Sequence, residues 1–191
     1  FDVHLIQGTE EKVIIETVES RVFDAIQIQN NSDILSISSK GVEGGGNYKV
    51  DIYIFFQSID EINAQLMSGS IDTYTQLLLD RITVTIKGAY SMRMAINCTD
   101  LNLELSNIHE VGLQGLVNSQ ANFNINTIKS FYAFGLQIET LTLSCYDIKK
   151  AYVWASKEIN IDATGFGSLT FRGTANQGVF NVKDTFEVIK Q

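Results

Sequence analysis

From Ile62 onward, apolar and polar residues alternate with a period of two, and the alternation restarts at a regular interval. With the first apolar residue of each stretch as position 0, the units begin at Ile62, Ile82, Leu101, Ala121, Leu141 and Ile159, in steps of 20, 19, 20, 20 and 18 residues. Positions 0, +2 and +4 are apolar or small in every unit: Ile62/Ala64/Leu66, Ile82/Val84/Ile86, Leu101/Leu103/Leu105, Ala121/Phe123/Ile125, Leu141/Leu143/Cys145 and Ile159/Ile161/Ala163. The residues between them are polar, as in Asn102/Glu104, Asn122/Asn124 and Asn160/Asp162. Position +7 is Ala89, Ile108, Ile128, Ile148 and Phe166 in units two to six. Positions +10 and +12 are Met92/Met94, Val111/Leu113, Phe131/Ala133, Ala151/Val153 and Leu169/Phe171.

Alternation with a period of two means a strand with one buried face. Several such strands per unit, repeated in phase, predict a parallel β-helix. No unit buries its apolar face alone, but coils stacked about 4.8 Å apart make one continuous interior column. Equivalent Asn and Thr residues are then expected to form ladders on the outside. The alternative all-β reading is an antiparallel β-sandwich whose periodicity is accidental.

Before the repeat, residues 1–6, 12–18, 22–28, 34–38 and 48–56 read as short strands, with a turn cluster at 30–33 and a Gly-rich loop at 41–47. Ser58-Ile59-Asp60-Glu61 has the form of a capping box, and Ile59, Ile62 and Leu66 sit at helical spacing. The same residues fit the repeat, which takes precedence here. The organisation expected is one domain: a β-rich cap over residues 1–58, coils over 59–176, and closing strands over 177–191.

Composition narrows the functional classes. A chain of 191 residues with 45% hydrophobic residues is long enough to bury a sizeable core. It contains no Pro, which fits a fold in which nearly every backbone N–H is needed for a ladder. The formal charge of −8 argues against nucleic acid and against an anionic membrane surface as partners, since both require clustered Lys and Arg. No apolar run is long enough to be a transmembrane segment. The chain opens inside a strand rather than in a signal peptide, so a processed N-terminus is expected. In the repeat register Cys98 and Cys145 lie three coils apart, about 14 Å at the strand spacing, too far for a disulfide.

A family resemblance follows from particular segments. The opening Phe1-Asp-Val-His-Leu-Ile-Gln-Gly8, the segment Ile34-Leu35-Ser-Ile37, the strand Val50-Asp-Ile-Tyr-Ile and the turn Met67-Ser68-Gly69-Ser70 together resemble the auto-transporter adhesin head domain of bacterial surface and secreted proteins. The closing Gly165-Phe166-Gly167-Ser168-Leu-Thr-Phe171-Arg-Gly173 is similar as well. In the middle units Ser106-Asn107-Ile108, Asn126-Thr127-Ile128 and Tyr146-Asp147-Ile148 replace the family's Gly-Ser turn. The resemblance implies a single-stranded right-handed parallel β-helix, an extracytoplasmic location, and a surface-associated role in adhesion or binding without a catalytic motif.

Enzymatic alternatives need residues that are hard to find. Some β-helices are polysaccharide lyases or hydrolases, and a glycosidase needs two carboxylates about 5–10 Å apart. The outward acids of the repeat, Glu104 and Asp162, lie three coils apart, and Asp72, Asp80, Asp100, Glu110 and Asp147 read as solvated loop residues. His4 and His109 are the only histidines, and no metal-ligand spacing, phosphate loop or nucleophile motif is present. Neither a cofactor nor a metal is expected.

One constellation stands out. Positions +11 and +13 should face outward, and they read Arg93/Ala95, Gly112/Gln114, Tyr132/Phe134, Tyr152/Trp154 and Thr170/Arg172. Tyr132, Phe134, Tyr152 and Trp154, with Arg172 on the next coil, form the candidate ligand- or partner-binding face. Three other fates compete for it: cover by a terminal segment, a homo-oligomer contact, or a register slip that buries the rings. The function read from the sequence is a non-catalytic binding module recognising glycan or protein through this face. The alternatives are a carbohydrate-active enzyme on the same scaffold and an assembly protein that stacks through its ends or its aromatic face.

Overall fold

The computed structural model describes residues 1–31, 34–39, 49–66 and 68–191. The expected turn at 30–33, the Gly-rich loop at 41–47 and Met67 of the Gly-Ser turn lie wholly or partly outside the described residues. In chain order the elements are β1 (Asp2–Gln7), β2 (Lys12–Thr17), the helical turn α1 (Ser20–Phe23), β3 (Ile26–Asn31), β4 (Ile34–Ser39), β5 (Val50–Phe56), β6 (Glu61–Gln65), β7 (Ser70–Thr73) and β8 (Leu77–Leu78). They continue with β9 (Arg81–Arg172), β10 (Asn176–Val182) and β11 (Thr185–Lys190).

The architecture is a β-solenoid of about seven turns, as the repeat predicts. Its winding is visible where β6, β7 and β8 stack on β9. β6 pairs in parallel with residues 83–87, β7 with 91–93 and β8 with 96–97; Ile62 stands opposite Val84 and not Ile82, so the first unit is two residues out of the phase the repeat predicts. Each coil therefore has three faces, built from positions 0 to +4, around +9 to +13, and around +14 to +16. The helical alternative at 58–66 is overridden, because Ile62 buries in the column as part of β6. The interior is almost free of solvent: Ile82, Val84 and Ile86, Leu141 and Leu143, and Ile159 are all at 0% exposure. Phe123 and Phe131 meet edge to face across one coil, with ring centroids 5.7 Å apart. Outside, the Asn102 carbonyl accepts from the Asn122 amide at 3.0 Å, one rung of the expected Asn ladder.

The corner between the first and second faces has one recurring solution. Position +6 is left-handed in units two to six: Gly88 (φ 68°), Asn107 (56°), Thr127 (52°), Asp147 (50°) and Gly165 (91°). The non-Gly turns that replace the Gly-Ser turn are therefore the same corner, made with residues that have a side chain. Asn and Asp tolerate this conformation, whereas a β-branched Thr crowds its own backbone.

The sixth corner departs from the other four. Phe166 does not point inward but is 56% exposed, unlike Ala89, Ile108, Ile128 and Ile148. Gly165 and Gly167 flank it, both with positive φ, and turn the intervening side chain outward. The chain there lies so close to the previous coil that a Cβ on Gly167 would sit 1.6 Å from the Ile148 carbonyl oxygen.

The chain ends are woven into the stack, the N-terminal strands into its second face. β1 inserts between β5 and β7, parallel to both, with Val3 opposite Ile52 on one side and Ile71 on the other. β5 also takes β2 antiparallel, with Ile15 opposite Ile52. At the other end β10 pairs with 158–163 on the first face, with a shift of register between Gln177 and Phe180, and β11 pairs with 166–171 on the second. The C-terminal segment thus extends the stack and does not fold across the aromatic face. β3 and β4 form a separate hairpin. The strand expected at 22–28 begins only at Ile26, because residues 20–23 make a helical turn that buries Val22 against Val50 and Ile52.

Two substitutions test this account by denaturant unfolding. Thr127→Gly removes a β-branched side chain from a left-handed position and should stabilise by about 1 kcal/mol. Leu143→Ala opens a cavity in the column and should destabilise by about 2–5 kcal/mol.

Candidate functional site

The outward side of the second face runs the whole length of the solenoid. Strand pairing places Tyr53, His4, Asp72 and Arg93 in one row across β5, β1, β7 and β9. Position +11 continues that row through Gly112, Tyr132 and Tyr152 to Thr170, which lies opposite Ile189 of β11. Position +13 makes the neighbouring row through Gln114, Phe134, Trp154 and Arg172. Two clusters of side chains stand on this surface.

The first is the aromatic cluster expected from the sequence. Tyr132 and Arg172 are exposed, and Phe134, Tyr152 and Trp154 are half-buried. The Tyr132 and Tyr152 rings stack at 5.4 Å with only 10° between their planes. Phe134 meets Tyr152 edge-on at 5.1 Å, and the Arg172 guanidinium lies 4.3 Å from the Phe134 ring centroid. Arg172 also donates from Nε to the Gln191 side chain at 2.8 Å. Four of the five expected residues thus touch one another in a chain, and Trp154 lies in the same row between Phe134 and Arg172. The stacked rings stand upright because the coil repeat sets their separation. Beyond Tyr132 the row drops to Gly112, where a Cβ would meet only the Arg93 side chain, at 3.7 Å. The result is a notch with an aromatic wall, a bare backbone floor and, opposite, Arg93 paired to Glu110 at 3.0 Å.

The second cluster is absent from the sequence reading. His4 is buried, at 6% exposure, although it sits on the outward side of β1. Its Nδ1 lies 2.7 Å from the Asp72 carboxylate and its Nε2 3.2 Å from that of Asp51. Tyr53 and Tyr74 lie against the imidazole, each with its centroid 4.7 Å away. Asp72 is therefore not a loop acid but a β7 residue facing β1. Burial pulls the imidazole pKa down, but the hydrogen bonds to Asp72 and Asp51 and their charges outweigh it and leave the pKa raised. Burial likewise pushes Asp51 up, yet hydrogen bonds from His4 and Lys49 leave its carboxyl below the ordinary range. The only sequence signal was a histidine between the apolar Val3 and Leu5 of a strand. Its partners lie 47 and 68 residues away and become visible only once β1 is inserted between β5 and β7.

Chemistry elsewhere is sparse. Cys98 and Cys145 are free, buried thiols, pushed by burial to about 11 and about 12. Among the described residues no group of three or more His, Cys, Asp and Glu side chains is arranged to hold a metal ion. No helix among them is long and apolar enough to cross a membrane.

The His4 cluster generates a pH dependence. A histidine whose folded pKa is raised contributes stability that is complete below its unfolded value of 6.5 and is lost as pH climbs through the folded value. The melting temperature should therefore fall between pH 6 and pH 9. His4→Gln should flatten that slope, and the protection factors of the β1 amides, measured relative to intrinsic exchange at each pH, should fall over the same range in the unmodified chain only.

Comparison with known proteins places the fold among solved structures. A putative adhesin from Bacteroides fragilis superposes with a TM-score of 0.77 at 16% identity, covering 100% of this chain and 88% of its own. A putative lipid binding protein from Parabacteroides distasonis gives 0.64 at 16% identity, with coverages of 99% and 85%. A putative adhesin from Parabacteroides merdae gives 0.61 at 16% identity, with coverages of 98% and 88%. No curated protein matches the sequence. The family model described as "Putative auto-transporter adhesin, head GIN domain" matches residues 1–175, and the chain belongs to that family.

Proposed function

We propose that this chain is a non-catalytic, extracytoplasmic binding module of the adhesin kind that recognises glycan through the aromatic row of its second face. The observation that carries the reading is the stacked Tyr132–Tyr152 pair ending over Gly112. Sugar rings pack their C–H faces on aromatic planes, and they need an open plane with hydrogen-bonding groups beside it. Tyr132 is 46% exposed, next to the vacant side-chain position at Gly112, with Arg93, Glu110 and Gln114 nearby. The family and the adhesins of similar structure support the binding role and the extracytoplasmic location.

A carbohydrate-active enzyme is disfavoured by the placement of the acids. Asp51 and Asp72 approach a common centre, but that centre is His4, and both carboxylates are engaged with it beneath two tyrosines. A protein partner is the second reading, favoured by Arg172 seated on Phe134: packed Tyr, Trp and Arg side chains are the usual anchors of protein interfaces.

Trp154 is the only tryptophan, so its fluorescence reports on this face alone. Titration with a panel of neutral polysaccharides and host matrix proteins should shift its emission with at least one ligand. Tyr132→Ala should weaken that binding about fivefold to tenfold, corresponding to about 1 kcal/mol. Gly112→Val should weaken glycan binding by filling the notch and leave a protein partner bound at Phe134 and Arg172. An emission that ignores the entire panel sinks the proposal.

A further inference from the structure

One groove of the molecule lies away from the aromatic rows. It follows the left-handed corner between the first and second faces and has a volume of about 550 Å³. Its lining runs from Ser68 on one coil to Phe166 five coils on, about 24 Å at the strand spacing. One wall is the column at position +8: Tyr90, His109, Lys129 and Lys149, each one coil above the last. That column ends at Gly167 and leaves the groove open.

Three features of this wall suit an anionic ligand. Tyr90 is exposed and stacks flat on His109, with ring centroids 4.9 Å apart and 9° between planes. The Lys129 ammonium sits 2.9 Å from His109 Nε2. An ammonium only donates, so Nε2 accepts and the ring proton lies on Nδ1, which is buried without a hydrogen-bond partner. Lys129 and Lys149 make no salt bridge among the described residues, whereas Lys12, Lys49, Arg81, Arg93 and Lys157 each have a carboxylate. The one acid in the lining, Asp147, accepts the Phe166 backbone N–H at 3.2 Å and so faces the next coil. In a chain of net charge −8 this is a local reversal of sign. At physiological salt charges are screened within about 8 Å, so the lining's own balance of two lysines against the one carboxylate of Asp147 outweighs the distant acids in what the groove attracts.

We propose that this groove binds the carboxylate-bearing residues of an acidic polysaccharide. The ammonium groups of Lys129 and Lys149 meet the carboxylates, and the exposed Tyr90 ring packs against a sugar ring. A polymer fits better than a small free anion, because the open channel continues over several coils past the two adjacent lysines. Their repeat, about 4.8 Å from coil to coil, suits the advance of an extended sugar chain. The choice of ligand rests on the glycan reading above, but the site is separate from the aromatic rows.

The test compares polygalacturonate and hyaluronan with neutral dextran, inorganic phosphate and phosphatidylglycerol vesicles by calorimetry. The His109 ring resonances are followed by NMR. At least one acidic polymer should bind tenfold or more tighter than dextran, shift the His109 resonances, and lose tenfold or more in Lys129→Gln/Lys149→Gln. Both lysines are exposed, so the melting temperature of that variant should be unchanged. The proposal is overturned if neither acidic polymer outbinds dextran, if the lysine variant binds as well as the parent, or if phosphate or the vesicles bind as tightly at the same residues. Tyr132→Ala leaves the groove intact and tests the aromatic rows separately. Dextran binding lost there but kept in the lysine variant upholds the aromatic reading whatever the groove does.

Discussion

Every coil must change direction at the same corner within one residue, and the fold depends on that constraint. The inward columns on either side stay in register only if the corner has the same shape each time, because a slip of one residue would turn an entire face inside out. The solution is a left-handed residue at position +6, supplied by Gly, Asn, Thr, Asp and Gly in turn. With the corner fixed, Ile108, Ile128 and Ile148 fall on one another inside, and whatever stands at +8 and +11 falls on itself outside.

That second consequence makes the exterior informative. A helix or an open sheet scatters equivalent positions, whereas a solenoid aligns them at the strand spacing. Tyr132 and Tyr152 stack face to face for this reason, and Tyr90 stacks on His109 for the same one. Neither pair was selected by sequence proximity, since 20 and 19 residues separate the partners. The buried His4 shows the rule carried past the repeat: β1 comes from the far end of the sequence yet occupies the row as if it were another coil.

The repeat, its phase and the aromatic row were legible because each is a periodic signal, and a period survives without knowledge of contacts. The failures share the opposite property. Phe166 follows the phase of Ile108 and Ile148 but points outward, because the glycines on both sides of it alter the local backbone, and a count of apolar positions does not register φ. Asp72 read as a loop acid because β7 is only four residues long and its hydrogen-bonding partner is a strand 68 residues earlier. Val22 read as strand because an apolar, β-branched residue fits that pattern, while the single helical turn holding it is stabilised by packing on Val50 and Ile52. Local chemistry was visible where it repeated and hidden where it depended on insertion of a distant strand.

The same division bears on function. Interior positions must conserve volume and polarity within narrow limits, since a void or an unpaired polar group in the column costs several kcal/mol. Outward rows carry no such restriction beyond compatibility with their neighbours one coil away. Chains of this fold can therefore keep the column and rewrite the rows, and a shared fold does not transmit a ligand from one chain to another. For this chain the rows hold an aromatic ladder beside a bare glycine and, one corner away, a basic column within an acidic molecule. Those two surfaces, rather than the solenoid itself, are where a ligand specific to this chain is to be sought.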